Sequence, residues 1–165
     1  MGGRWKQIAI LVAVAVAAAG AVAVASIALG GGGGGGSASR DEYQETVVRA
    51  RNQVEFALAK IPNAESIEEL LAELDNAAAV AEASAADLAD AGVADGFEDE
   101  NDELVAAVDA LSSELAGTAS TLRDPTFAEA LPQLTSLSFK QWVVINRILG
   151  DLKEQGIDVE PLARH

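Results

Sequence analysis

The densest cluster of chemistry-bearing side chains in this sequence is acidic. Asp95, Glu98, Asp99, Glu100, Asp102 and Glu103 fall within nine residues. Carboxylate oxygens at that density are ligands for a hard cation such as calcium. An EF-hand loop, however, needs acidic or amide residues at alternate positions and then a turning glycine. Counted from Asp99, the alternation gives Asn101 and Glu103, but Leu104 stands where the glycine belongs; counted from Asp95, Gly96 comes too early. Asp95, Asp99 and Asp102 are therefore only weak metal candidates. The preferred reading is an acidic helix N-terminus, where carboxylates complement the positive end of the macrodipole.

Other chemistries lack their parts. There is no Cys, and the one His is His165. Disulfides, thiolate zinc sites and iron–sulfur clusters are excluded, and His-based acid/base chemistry has no group within the chain's body. Carboxylate pairs such as Glu65/Glu69 and Glu68/Glu69 could work as acid and base only if burial drove their pKa values apart, and they sit on a polar helix face. No Ser or Thr has a plausible base beside it, and there is no G-x-S-x-G. No catalytic residue and no cofactor are expected, and the enzyme reading is set aside. A net charge of -15 in 165 residues argues against nucleic acid as a partner.

What would position any site is the chain's organisation. Residues 8–29 form an uncharged run, IAILVAVAVAAAGAVAVASIAL. As a helix, 22 residues reach roughly 33 Å, enough to cross a hydrocarbon core of about 30 Å. Arg4 and Lys6 precede the run. A positive flank stays on the cytoplasmic side, so the sequence predicts a cytoplasmic N-terminus (1–7), one transmembrane anchor (8–29) and an extracytoplasmic remainder at the cell membrane. A cleaved signal peptide is the rival, with Ala23-Val24-Ala25 and Ser37-Ala38-Ser39 as small-x-small sites and a secreted product. The run is longer than the 7 to 15 apolar residues usual in a signal peptide, which favours the retained anchor. Gly30 to Gly36 and then Ser37-Ala38-Ser39 read as a flexible tether (30–39).

Residues 40–157 carry helical periodicity and no strand signal. Ser39 with Glu42 forms a capping box, followed by the stripe Tyr43, Val47, Ala50, Val54, Leu58 and Ile61, with Pro62 as the stop. Ser66 with Glu69 predicts a second box and the stripe Ile67, Leu70, Leu74, Ala77, Ala81, Ala85 and Leu88, ended by Gly92. A third helix begins near 95–97, carries Leu104, Val108, Leu111, Leu115 and Leu122, and runs through Gly117 to Asp124-Pro125. The fourth is broken: a short piece capped by Thr126 and Glu129 meets Pro132. Ser138 and Gln141 then open a helix to Gln155, with Gly156 and Ile157 as a Schellman end. The expected architecture is all-α, an antiparallel four-helix bundle, with 158–165 as a C-terminal tail.

The final helix places Trp142, Ile145, Leu149 and Leu152 on one face, widened by Val144 and Ile148. This predicts that Trp142 is core. Val143 points the other way, beside Asn146 and Glu154, and marks with Trp142 the edge of a candidate partner contact. No motif is specific enough to name a family. Two function classes follow: a membrane-anchored, non-catalytic interaction or structural module with a protein partner, and, as the alternative, a ligand- or cation-binding accessory domain of an envelope receptor or transport system.

Overall fold

The computed structural model describes residues 38–124 and 138–163. All of them lie in one compact unit, Ser37–His165. The expected anchor (8–29), the glycine run and the short helix expected between Thr126 and Pro132 lie outside the described residues. Among the described residues the fold is all-helical, with four α-helices and no strand, and no helix is long and apolar enough to cross a membrane.

Helix α1 spans Arg40–Leu58 and opens with the reciprocal capping box: Glu42 donates its N–H to Ser39 Oγ, and Glu42 Oε2 accepts the Ser39 N–H at 2.9 Å. Its expected stripe is buried throughout. The helix stops four residues before Pro62, which instead sits in a 3-10 turn, Ile61–Asn63, where its missing N–H leaves no bond unmade. The Asn63 amide donates to the Ala59 carbonyl at 2.8 Å and satisfies one of the free helix-end carbonyls.

Helix α2 spans Ile67–Asp90. Ser66 Oγ caps the Glu69 N–H, but the Glu69 carboxylate accepts from Glu65 N–H at 2.7 Å rather than from Ser66, so the expected second box is only half formed. Ile67, the first residue of the expected stripe, is 47% exposed; Leu74, Ala77, Ala81, Ala85 and Leu88 are buried. The helix ends at Asp90, before Gly92, because Ala91 turns to an extended conformation. The left-handed glycine is Gly96 (φ +88°), in the connection to the next helix.

Helix α3 spans Glu98–Arg123, passes through Gly117 and ends at Asp124. Its stripe is buried, and α2–α3 is the most extensive helix pair. Small residues on both (Ala78, Ala81, Ala107, Ala119) let the helices come close. Arg123 meets Asp75, Arg147 meets Glu103 and Gln155 meets Glu100, so α3 runs antiparallel to both neighbours.

Helix α4 spans Lys140–Glu154. Neither Ser138 nor Gln141 caps it. Phe139 is the N-cap residue and offers no side-chain acceptor. Its free amides are taken by Glu114 of α3, at 2.9 Å from Lys140 and 3.2 Å from Gln141. The other end follows the sequence reading. Ile157 N–H reaches Leu152 O, Gly156 N–H reaches Lys153 O, and Gly156 takes φ +93°, a complete Schellman motif.

The bundle does not stop at Ile157. Val159 and Leu162 are as buried as the helix stripes, so the described part of the expected tail is a packed strap without regular secondary structure, and it opens with a turn in which Val159 N–H reaches Ile157 O at 2.9 Å. Helices α1 and α4 do not pack extensively on each other, and the strap lies along the seam between them. At the other terminus Ala38 donates to Val93 O at 3.2 Å, so the last two residues of the expected tether belong to the folded part.

Candidate functional site

The acidic run does not converge. Asp95, Asp99 and Asp102 are all exposed, and among the described residues no group of three or more acidic or His side chains is placed to hold a metal ion. Three carboxylates of the same run are engaged elsewhere. Glu98 accepts the Gly96 N–H at 2.9 Å, Glu100 accepts from the Gln155 side-chain amide at 2.6 Å, and Glu103 pairs with Arg147 at 2.9 Å. The Gln155 hydrogen bond holds Glu100 below the usual carboxylate range. Glu100 and Glu103 thus join the start of α3 to the second half of α4.

The same end of the bundle holds a small aromatic and polar cluster. The Arg40 guanidinium lies 5.2 Å over the Phe97 ring, and Phe97 is 5.7 Å from the Tyr43 ring. Arg40 also donates to the Gln155 carbonyl at the end of α4. The Tyr43 hydroxyl and Asn101 Oδ1 are buried without a hydrogen-bond partner among the described residues. Burial pushes the Tyr43 phenol up to about 12, and the nearby Glu100 charge adds to it, so this group holds its proton throughout the neutral range.

Of the candidate partner contact, Val143 is outward-facing and 63% exposed, as its register requires. Trp142 is not core. It is half-buried, packed against the core's edge, with its indole N–H 3.4 Å from the Ala163 carbonyl. The stripe brings Ile145, Ile148, Leu149 and Leu152 inside, while the Trp142 ring, one turn earlier, reaches the strap. Asn146, expected on the outward face beside Val143, is also half-buried.

Asn146 belongs to a site that the sequence did not disclose. Its Oδ1 accepts the Leu162 N–H at 2.6 Å, and its Nδ2 donates to the Leu162 carbonyl at 3.2 Å. One side-chain amide therefore satisfies both backbone groups of a single residue, as a neighbouring strand would. From the α1 side, Arg51 donates to the Glu160 carbonyl at 3.0 Å and to the Pro161 carbonyl at 2.6 Å. Gln44 accepts the Asp158 N–H at 2.8 Å. Beneath, Leu162 borders a small, partly open apolar pocket of about 10 Å³ with Val47, Val54, Ile145 and Leu149.

These residues escaped sequence reading because Gln44, Arg51 and Asn146 are polar residues that a periodicity count assigns to solvent. The available signal was the apolar spacing Ile157, Val159, Leu162 immediately past the Schellman glycine. Comparison with known protein families, with curated proteins and with solved structures finds no match.

Proposed function

We propose that the chain is a single-pass membrane protein, N-terminus inside, whose helical bundle lies outside the cytoplasmic membrane and acts as a non-catalytic interaction or structural module. One observation carries the location: an uncharged run of 22 residues follows Arg4 and Lys6 and leads through seven glycines to the first capped helix. The interaction role draws on the α1–α4 seam, where three polar side chains hold the backbone of a non-helical segment. The partner is then a protein, and the bilayer is met through the single span. The alternative, a ligand- or cation-binding accessory domain, draws on the Tyr43 hydroxyl and Asn101 Oδ1, which have no hydrogen-bond partner among the described residues.

Protease added to intact cells that carry a C-terminally tagged chain tests the location. Loss of the tag is the expected result. A tag protected until lysis overturns the orientation, and a soluble tagged fragment in the medium replaces the anchor with a cleaved leader.

A further inference from the structure

We propose that the Asp95–Gly96 step is a site of covalent modification, where the aspartate isomerises to isoaspartate through a succinimide, and that the Glu98 carboxylate holds the step in its unreactive form.

Isomerisation needs an open carboxyl, a following nitrogen that nothing crowds, and a backbone able to turn one onto the other. Asp95 is the one aspartate of the sequence that a glycine follows, and no asparagine precedes a glycine. Both residues are exposed, in the connection between α2 and α3. Beyond the adjoining residues, no atom lies within 4 Å of the place that a Cβ on Gly96 would take, so the flank of its nitrogen is open. Glycine also accepts φ of either sign, which lets the peptide plane between the two residues turn over.

The fold opposes that turn. Phe97 N–H reaches Ala94 O at 3.1 Å and Gly96 takes φ +88°, the arrangement of a type II turn. Closing the five-membered ring requires the Asp95–Gly96 peptide plane to leave that orientation. Glu98 Oε2 accepts the Gly96 N–H at 2.9 Å and fixes the plane where it is. Its charge acts in the same direction, because a carboxylate beside the nitrogen disfavours the negative charge that the nitrogen acquires as it loses its proton to attack.

In the reaction the Gly96 nitrogen bonds to Asp95 Cγ, and its proton leaves with the carboxyl O–H as one water. A second water adds to the backbone carbonyl carbon of Asp95. The C–N bond there breaks, its electron pair stays on nitrogen, which takes back a proton, and the carbonyl carbon becomes a carboxylate. The composition is that of the parent, but the main chain now passes through Cβ and Cγ and is one carbon longer. Ala94 and Phe97, on either side, are buried, and the Phe97 ring meets Arg40 and Tyr43. The added carbon displaces those neighbours, so the modification loosens the end of the bundle that Arg40, Tyr43 and Phe97 hold together.

The test ages the full chain in mild detergent at neutral pH and then cuts it after glutamate. The peptide 83–98, or 83–100 where Glu98 is replaced, carries Asp87, Asp90 and Asp95. Isoaspartate in it is read as a second elution peak of equal mass, placed by fragmentation and labelled by an isoaspartyl methyltransferase. Accumulation at Asp95 at least tenfold faster than at Asp87 or Asp90 is expected, and Glu98→Ala should raise it at least threefold further. If circular dichroism shows that Glu98→Ala does not fold, Glu98→Gln, which keeps the side chain's length and loses its charge, carries the same expectation. Equal rates at the three aspartates overturn the site. A rate at Asp95 that is unchanged once the Glu98 charge is gone overturns the role of Glu98.

Discussion

The carboxylate of Glu114 in α3 accepts the backbone N–H of Lys140 at 2.9 Å, and its second oxygen takes the N–H of Gln141 at 3.2 Å. The cap of the last helix is thus supplied from a residue 26 positions earlier, on a different helix. The same bond that satisfies α4's first turn fixes its height along α3. Replacing the carboxylate leaves two helix-end amides without it, and Glu114→Ala is expected to cost about 1 to 2 kcal/mol, with Glu114→Gln milder. Thermal melts followed by circular dichroism check this, and an alanine variant that melts with the parent would show that water serves those amides equally well.

Core truncations should rank by burial rather than by side-chain size. Leu152 is fully buried and Trp142 sits at the core's edge. Leu152→Ala is expected to cost about 2 to 5 kcal/mol, and Trp142→Ala less, despite the larger side chain removed. Urea denaturation of both variants gives the order, and a Trp142→Ala loss equal to or above that of Leu152→Ala contradicts the placement.

Stability should fall at both ends of the pH scale for different reasons. Glu42, Glu100 and Glu160 have carboxyls held below their ordinary range, by Ser39, Gln155 and Lys153 in turn. A carboxylate whose folded pKa is depressed stabilises the fold above its unfolded value and loses that contribution as pH falls through the folded one. The urea midpoint is therefore expected to drop as pH is lowered from about 5 toward 3. Tyr43 works in the opposite sense: its folded value of about 12 exceeds the ordinary 10.0, so its contribution is complete below pH 10 and is lost as pH rises toward 12.

Tyr43→Phe separates the two limbs. It should flatten the alkaline one and leave the acidic one in place. At neutral pH it is expected to cost nothing, or to stabilise by up to about 1 kcal/mol, because the hydroxyl it removes is buried without a partner among the described residues. A variant clearly less stable than the parent at pH 7 would mean that the hydroxyl is bonded in solution.

Calcium is expected to bind the bundle no more tightly than any acidic surface, since Asp95, Asp99 and Asp102 do not converge. Isothermal calorimetry on the full chain measures it directly. A micromolar affinity together with a raised melting temperature would restore the cation-binding alternative.

How much of this was legible in the sequence depends on whether the signal was local. Ser39 with Glu42, and Gly156 with Ile157, are short-range motifs whose bonds close within six residues, and both formed as read. The stripes of α1 and α3 were legible for the same reason. Pro62 and Gly92 misled because a breaker marks where a helix cannot continue, not where it stops; Asn63 and Ala91 ended α1 and α2 earlier. Glu114, Arg51 and Asn146 were illegible because their partners lie 26, 109 and 16 residues away. Trp142 was placed inside by its register, yet register fixes only a direction from the helix axis, and the strap's Ala163 drew the ring to the edge.

The strap also orders events in time. Along the chain each helix packs on the next, so α1–α2, α2–α3 and α3–α4 can assemble as neighbours with modest loop-closure cost. The seam is different: Gln44 waits for Asp158, 114 residues later, and Arg51 for Glu160, 109 residues later. A chain emerging N-terminus first therefore carries α1 with one apolar flank uncovered until residue 162 has been made. Chains that stop short of Leu162 keep that flank open. The clasp thus covers an apolar flank that a chain cut before Leu162 presents to quality-control proteases as a hydrophobic handle.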